Sequence, residues 1–112
     1  MESFNKDLEF GNDKVVTKVI LETSFSKEIR ILLKNGQMMK EHKAPFPIIV
    51  HVLEGAIDFG VSGNVSSLEK GDILTLAPNI PHDLKAKEDS IIRLSLSKFD
   101  DSKRVEKAAT NS

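Results

Sequence analysis

Apolar residues in this chain return at every second position, and the runs that show this are short. Ile29, Ile31 and Leu33 alternate with Arg30, Leu32 and Lys34, and Ile57, Phe59 and Val61 with Asp58 and Gly60. Leu84 and Ala86 alternate with Asp83, Lys85 and Lys87, and Ile92, Leu94 and Leu96 with Arg93, Ser95 and Ser97. A period of two puts successive side chains on opposite faces of an extended backbone, so each run reads as a strand with one buried face. Turn-forming groups separate the runs: KNG near 35, EG at 54–55, SGN at 62–64, EKGD at 69–72, APNIP at 77–81 and KED at 87–89. Short strands at this spacing predict an all-β sandwich or barrel. No stretch of helical period is long enough to supply the crossovers of a parallel sheet.

The 112 residues suit one domain with a core of its own. Cysteine is absent, which excludes disulfides and thiolate metal sites. The formal net charge is −1 with both signs scattered, so the clustered basic charge of a nucleic-acid footprint is missing. No apolar run approaches the length of a membrane span. The polar start, MESFNKDLEFGNDK, has no apolar stretch of the secretory kind, and a cytoplasmic location is expected. Residues 1–13 read as a flexible segment and 14–99 as the barrel. Residues 100–112 read as a polar tail in which Asp100 or Asp101 caps a short helix at most. Its single valine offers little to bury, so the tail is expected to fray and to be dispensable.

Two segments carry the chemistry. GQMMKEH (36–42) and GDILTLAPNIPH (71–82) each open on a glycine, run through a strand-like stretch and end on a histidine. Between them lies the apolar strand PIIVHVLEG (47–55), and the three histidines, His42, His51 and His82, all fall within this region. His82 shares its alternation with Leu84 and Ala86, which turns it inward, either as an imidazole bonded to a backbone carbonyl or as a ligand or base. His42 is either a solvated loop residue or part of the same site. In a regular strand Ile48, Val50 and Val52 share one face and Ile49, His51 and Leu53 the other; a bulge near Pro45 and Pro47 would invert them. Gly55 and Gly71 read as turn glycines needing positive φ, and Asp72 as a residue bonding its own turn.

Taken together, these residues resemble the cupin family of small jelly-roll barrels (the double-stranded β-helix), over roughly residues 30–97. Gly36, His42 and Gly55, with VLEG at 52–55, match the first cupin motif. Gly71, Asp72, Pro78, Pro81 and His82 match the second. In cupins the two motifs supply histidines and a glutamate to a divalent metal. Here Ala44 stands where the second histidine belongs and Ile48 where the glutamate belongs. The resemblance implies a mainly apolar pocket lined by His42, Ala44, Ile48, Val50, Val52, Phe59, His82 and Leu84, with His42 facing His82 across the barrel. It makes His42 and His82 candidate ligands of a weakly held divalent metal, with His51 the less favoured third. No catalytic residue is assigned. Two functions stay open: a small-molecule-binding module with weak or no metal, and a metal-dependent isomerase or oxygenase using His42 and His82. A homodimer is expected, because Ile49 and Leu53 would lie on the face opposite the pocket and need cover.

Overall fold

The structure is a computed structural model that describes residues 1–111. The strands are β1 (Val16–Glu22), β2 (Ser26–Leu33), β3 (Met38–His42), β4 (Ile48–Glu54), β5 (Ala56–Val61), β6 (Asn64–Glu69), β7 (Ile73–Leu76), β8 (His82–Ala86) and β9 (Ser90–Ser97), followed by the helix α1 (Ser102–Thr110). They form a five-stranded sheet in the order β1-β2-β9-β4-β7 and a four-stranded sheet in the order β3-β8-β5-β6. Neighbours in each are antiparallel.

The alternation in the sequence sets which side chains lie between the sheets. Ile29, Ile31 and Leu33 of β2, Ile48, Val50 and Val52 of β4, and Ile92, Leu94 and Leu96 of β9 are buried in one core with Ile57, Phe59, Leu84 and Ala86 of the second sheet. No bulge inverts β4 at its start: Ile49 is exposed and His51 and Leu53 are part-buried, on the face opposite Ile48, Val50 and Val52. Gly55 links β4 to β5 at φ 88°, and a Cβ there would lie 2.3 Å from the Ser90 hydroxyl, so both conformation and space demand glycine. Gly71 turns at φ 94°, and beside it the Asp72 carboxylate accepts from the Glu69 N–H at 2.8 Å, the turn bond its side chain suggests.

The chain ends are better held than their composition indicates. The first residues form no strand, but the buried Arg30 guanidinium donates to the carbonyls of Lys6 (2.7 Å) and Asp7 (3.3 Å). Lys34 and Gln37 reach Asn12 and Gly11 in the same segment. The expectation of a frayed tail is corrected by α1. Asp101 caps this helix by accepting from the Lys103 N–H at 2.9 Å, and Arg104 clasps the buried Asp100 carboxylate through two hydrogen bonds. Val105 and Ala109, one turn apart on a single helix face, are 1% and 3% exposed and belong to the core. The helix lies against β1 and β3, the edge strands on one side of the two sheets, and covers the gap between them. One valine sufficed because Ala109 extends its stripe and two sheet edges supply the other wall. Among the described residues, no helix is long and apolar enough to cross a membrane.

Candidate functional site at the barrel mouth

His42 ends β3 and His82 begins β8, and the two residues are partners in the β3–β8 register. They therefore sit side by side in one sheet and do not face each other across the barrel. The register shift between Met39 and His42 brings this about. Their ring centroids lie 4.4 Å apart at an interplanar angle of 59°. The Phe59 ring stacks on His82 from β5, with centroids 5.6 Å apart and 22° between planes. His82 is buried and His42 half-buried.

Each imidazole is fixed the same way. Nδ1 of His42 lies 2.7 Å from the Lys40 carbonyl oxygen, and Nδ1 of His82 lies 2.9 Å from that of Ile80. A carbonyl oxygen can only accept, so Nδ1 carries the proton and donates, and in the neutral ring Nε2 is left as a bare acceptor. Burial pushes both rings below the ordinary value of 6.5. The carbonyl bonds act in the opposite direction, and the positive charge of Arg104 adds to the lowering at both rings.

A cavity of about 10 Å³, barely room for one water, lies beneath the pair. Of the lining residues expected from the sequence, His42, Val50, Phe59, His82 and Leu84 bound it. Ala44, Ile48 and Val52 are buried in the same core without reaching it. Ile31, Met39, Ile92 and Leu94 complete the wall. Ile31, Ile92 and Leu94 were visible as inward members of alternating runs, but nothing in the sequence placed those runs beside β8. Arg104 was also missed, because only the docking of α1 brings it near the histidines.

His51 lies on the outer face of the five-stranded sheet, paired with Arg93 and Ile73, and its Nδ1 is buried without a hydrogen-bond partner. It is not part of the mouth. Among the described residues, no three of His, Cys, Asp and Glu gather where they could hold a metal ion. With Ala44 and Ile48 buried at the other two motif positions, the residues present do not fit a tight divalent site, which takes three or four protein ligands.

The site makes a pH-dependent contribution to stability. As pH falls past 6.5, an unfolded imidazole takes up its proton before the folded ones do, so the unfolded state binds more protons. The His42 and His82 contribution is complete above 6.5 and is lost as pH falls from there through the folded values. Glu28 adds a second, more acidic window. Its burial raises its carboxyl, but bonds from Ser95, Ser26 and Arg93 outweigh that and hold it below 4.5, so its contribution is lost as pH falls below that value. Thermal melting should show a falling midpoint between about pH 7.5 and 5.5, with the fall much reduced in a His42→Asn, His82→Asn variant. An equal fall in parent and variant would assign this window to other groups.

A family model for the cupin domain matches residues 29–97. No curated protein matches the chain. Several solved structures share the fold. An RmlC-like cupin from Desulfovibrio desulfuricans is 22% identical with a TM-score of 0.75, over 87% of this chain and 96% of that one. A double-stranded β-helix protein from Klebsiella pneumoniae is 23% identical with a TM-score of 0.74, over 87% of both chains. A cupin 2 conserved barrel domain protein from Leptotrichia buccalis is 28% identical with a TM-score of 0.72, over 81% of this chain and 44% of that longer one. Glycine turns, inward alternation, two antiparallel sheets and the match over residues 29–97 converge: the chain belongs to the cupin family.

Proposed function

We propose that this cupin is a small-molecule-binding module whose ligand is held at the barrel mouth by His42 and His82, with weak or no metal. The observation that carries the reading is the fixed pair of imidazoles, each tied at Nδ1 and offering Nε2 as an acceptor. Buried polar groups held in place beside an apolar wall are what gives a small-molecule site its specificity. The filled interior beneath them leaves the mouth as the place for a ligand.

A second reading, a metal-dependent isomerase or oxygenase using these two histidines, draws on the same tautomer. A metal-ligating histidine also donates its other ring N–H to a carbonyl. The two readings separate on protein purified without chelator. The binding module should carry substoichiometric divalent metal, and some members of a panel of small alcohols, acids and amines should shift the His42 and His82 ring resonances by NMR. Stoichiometric metal, or a panel that leaves both rings unmoved, would reject it.

A further inference from the structure

Two packed sheets leave two open sides. On the side of β1 and β3, α1 closes the gap between the sheets. On the opposite side the edges are β6 and β7, and among the described residues no helix covers the gap there. Leu68 of β6 and Leu74 and Leu76 of β7 face inward from these edges, yet all three are only part-buried.

An edge strand offers unpaired N–H and C=O groups, and the other edges of this fold each carry a device that blunts them. β1 is bulged between Val19 and Leu21 and carries Lys18 and Glu22. β3 lies against α1 and shifts register between Met39 and His42. β7 is four residues long and runs into Pro78. β6 has none of these. It pairs with β5 in unbroken register over all six residues, and from Asn64 to Leu68 it holds no charge and no proline. Val65 is 68% exposed.

The turn that leads into β6 sets which backbone groups face out. Ser62 and Gly63, at φ 52° and 83°, make a two-residue hairpin turn of type I′. Such a turn closes on a hydrogen-bonded pair, here Val61 with Asn64, and antiparallel pairing alternates from there. Val65, Ser67 and Glu69 therefore turn their N–H and C=O groups away from β5. We propose that β6 is a dimer edge, joined antiparallel to β6 of a second copy about a twofold axis at Ser66, so that the two smaller sheets run on as one. Val65 of each copy then exchanges both backbone hydrogen bonds with Ser67 of the other. Glu69 falls opposite Gly63, which keeps the two Glu69 carboxylates about 20 Å apart along the strands, well beyond the screening length. An uncharged edge has nothing to select a charged strand, whereas a second copy brings an identical open edge in a register that repeats every bond. The same approach narrows the gap in which Leu68, Leu74 and Leu76 stand.

Sedimentation of the full chain over a concentration series reads the association, and amide hydrogen exchange reads the edge. The mass should rise from monomer to dimer with concentration. The Val65 and Ser67 amides should exchange slowly in the dimer and fast on dilution, while those of Asn64 and Ser66, bonded to β5, stay slow throughout. Ser67→Pro removes an N–H that faces out in the single chain, so it should fold and weaken the dimer by about tenfold or more, since symmetry removes the donor twice. Val65→Lys, which puts a charge on each side of the axis and leaves the backbone alone, should act in the same direction. Ile49→Lys, on the outer face of the other sheet, should leave the dimer unchanged. A mass that stays monomeric up to about 1 mM, the weak end of specific association, would overturn the proposal. So would a dimer that survives both β6 variants or falls apart on Ile49→Lys alone, and so would Val65 and Ser67 amides that exchange alike at all concentrations.

Discussion

Replacing Phe59 by alanine is expected to destabilise the fold by about 3–5 kcal/mol, the range for removing a large aromatic side chain from a packed core. Phe59 is 1% exposed, and it both fills the barrel and supports the His82 ring. The cavity beneath the histidines is small because this ring occupies the space, so its removal should leave an apolar void that the surrounding strands cannot close. Benzene should then stabilise the variant, as a ligand that binds only the folded state does, and leave the parent unaffected. Denaturant unfolding in the presence and absence of benzene measures both effects. A loss under about 1 kcal/mol would mean that the barrel closes over the gap, and that its interior is not held at native packing density.

The second large effect concerns the helix. Ending the chain after Phe99 should lower the stability by about 3 kcal/mol or more. Burying a valine is worth about 2 kcal/mol, Ala109 adds less, and both cover core residues that would otherwise meet water. Truncation also removes Asp100, whose carbonyl accepts from Lys27 and whose carboxylate holds Arg104. A nine-residue helix is too short to persist alone in water, so its order depends on docking. Val105→Asp should reproduce most of the loss in the full-length chain by forcing a carboxylate into the core. An unchanged urea midpoint for either protein would show that the helix contributes nothing to the folded core.

These two residues mark what local sequence patterns carry and what they omit. Phe59 was legible because the period of two that fixes a strand face also fixed its inward orientation; the same holds for Ile31, Val50, Leu84 and Ile92. Periodicity gives the face of a strand but not its neighbours. That is why His42 was expected across the barrel from His82, when a shift in the β3–β8 register makes them adjacent. Val105 was undervalued for a related reason. A valine in a polar segment looks insufficient until the edges of β1 and β3 supply its surroundings. Ala44 and Ile48 are visible in the sequence as side chains that cannot ligate a metal, and both are buried in the core. The tautomer that turns His42 into an acceptor required the position of the Lys40 carbonyl.

The strand order has a consequence for how the protein is made. β9 is last of the nine strands along the chain, yet it occupies the middle of the five-stranded sheet, between β2 and β4. During synthesis β2 and β4 emerge without the strand that joins them, each with an open edge. The β1–β2 and β5–β6 hairpins can form as they appear, but the larger sheet must wait until residue 97 is available. Until then the nascent chain exists as separate hairpins with exposed apolar faces, a stage at which chaperone capture or pairing with another unfinished copy competes with folding. Slowing translation before Ser90 should lengthen that exposure.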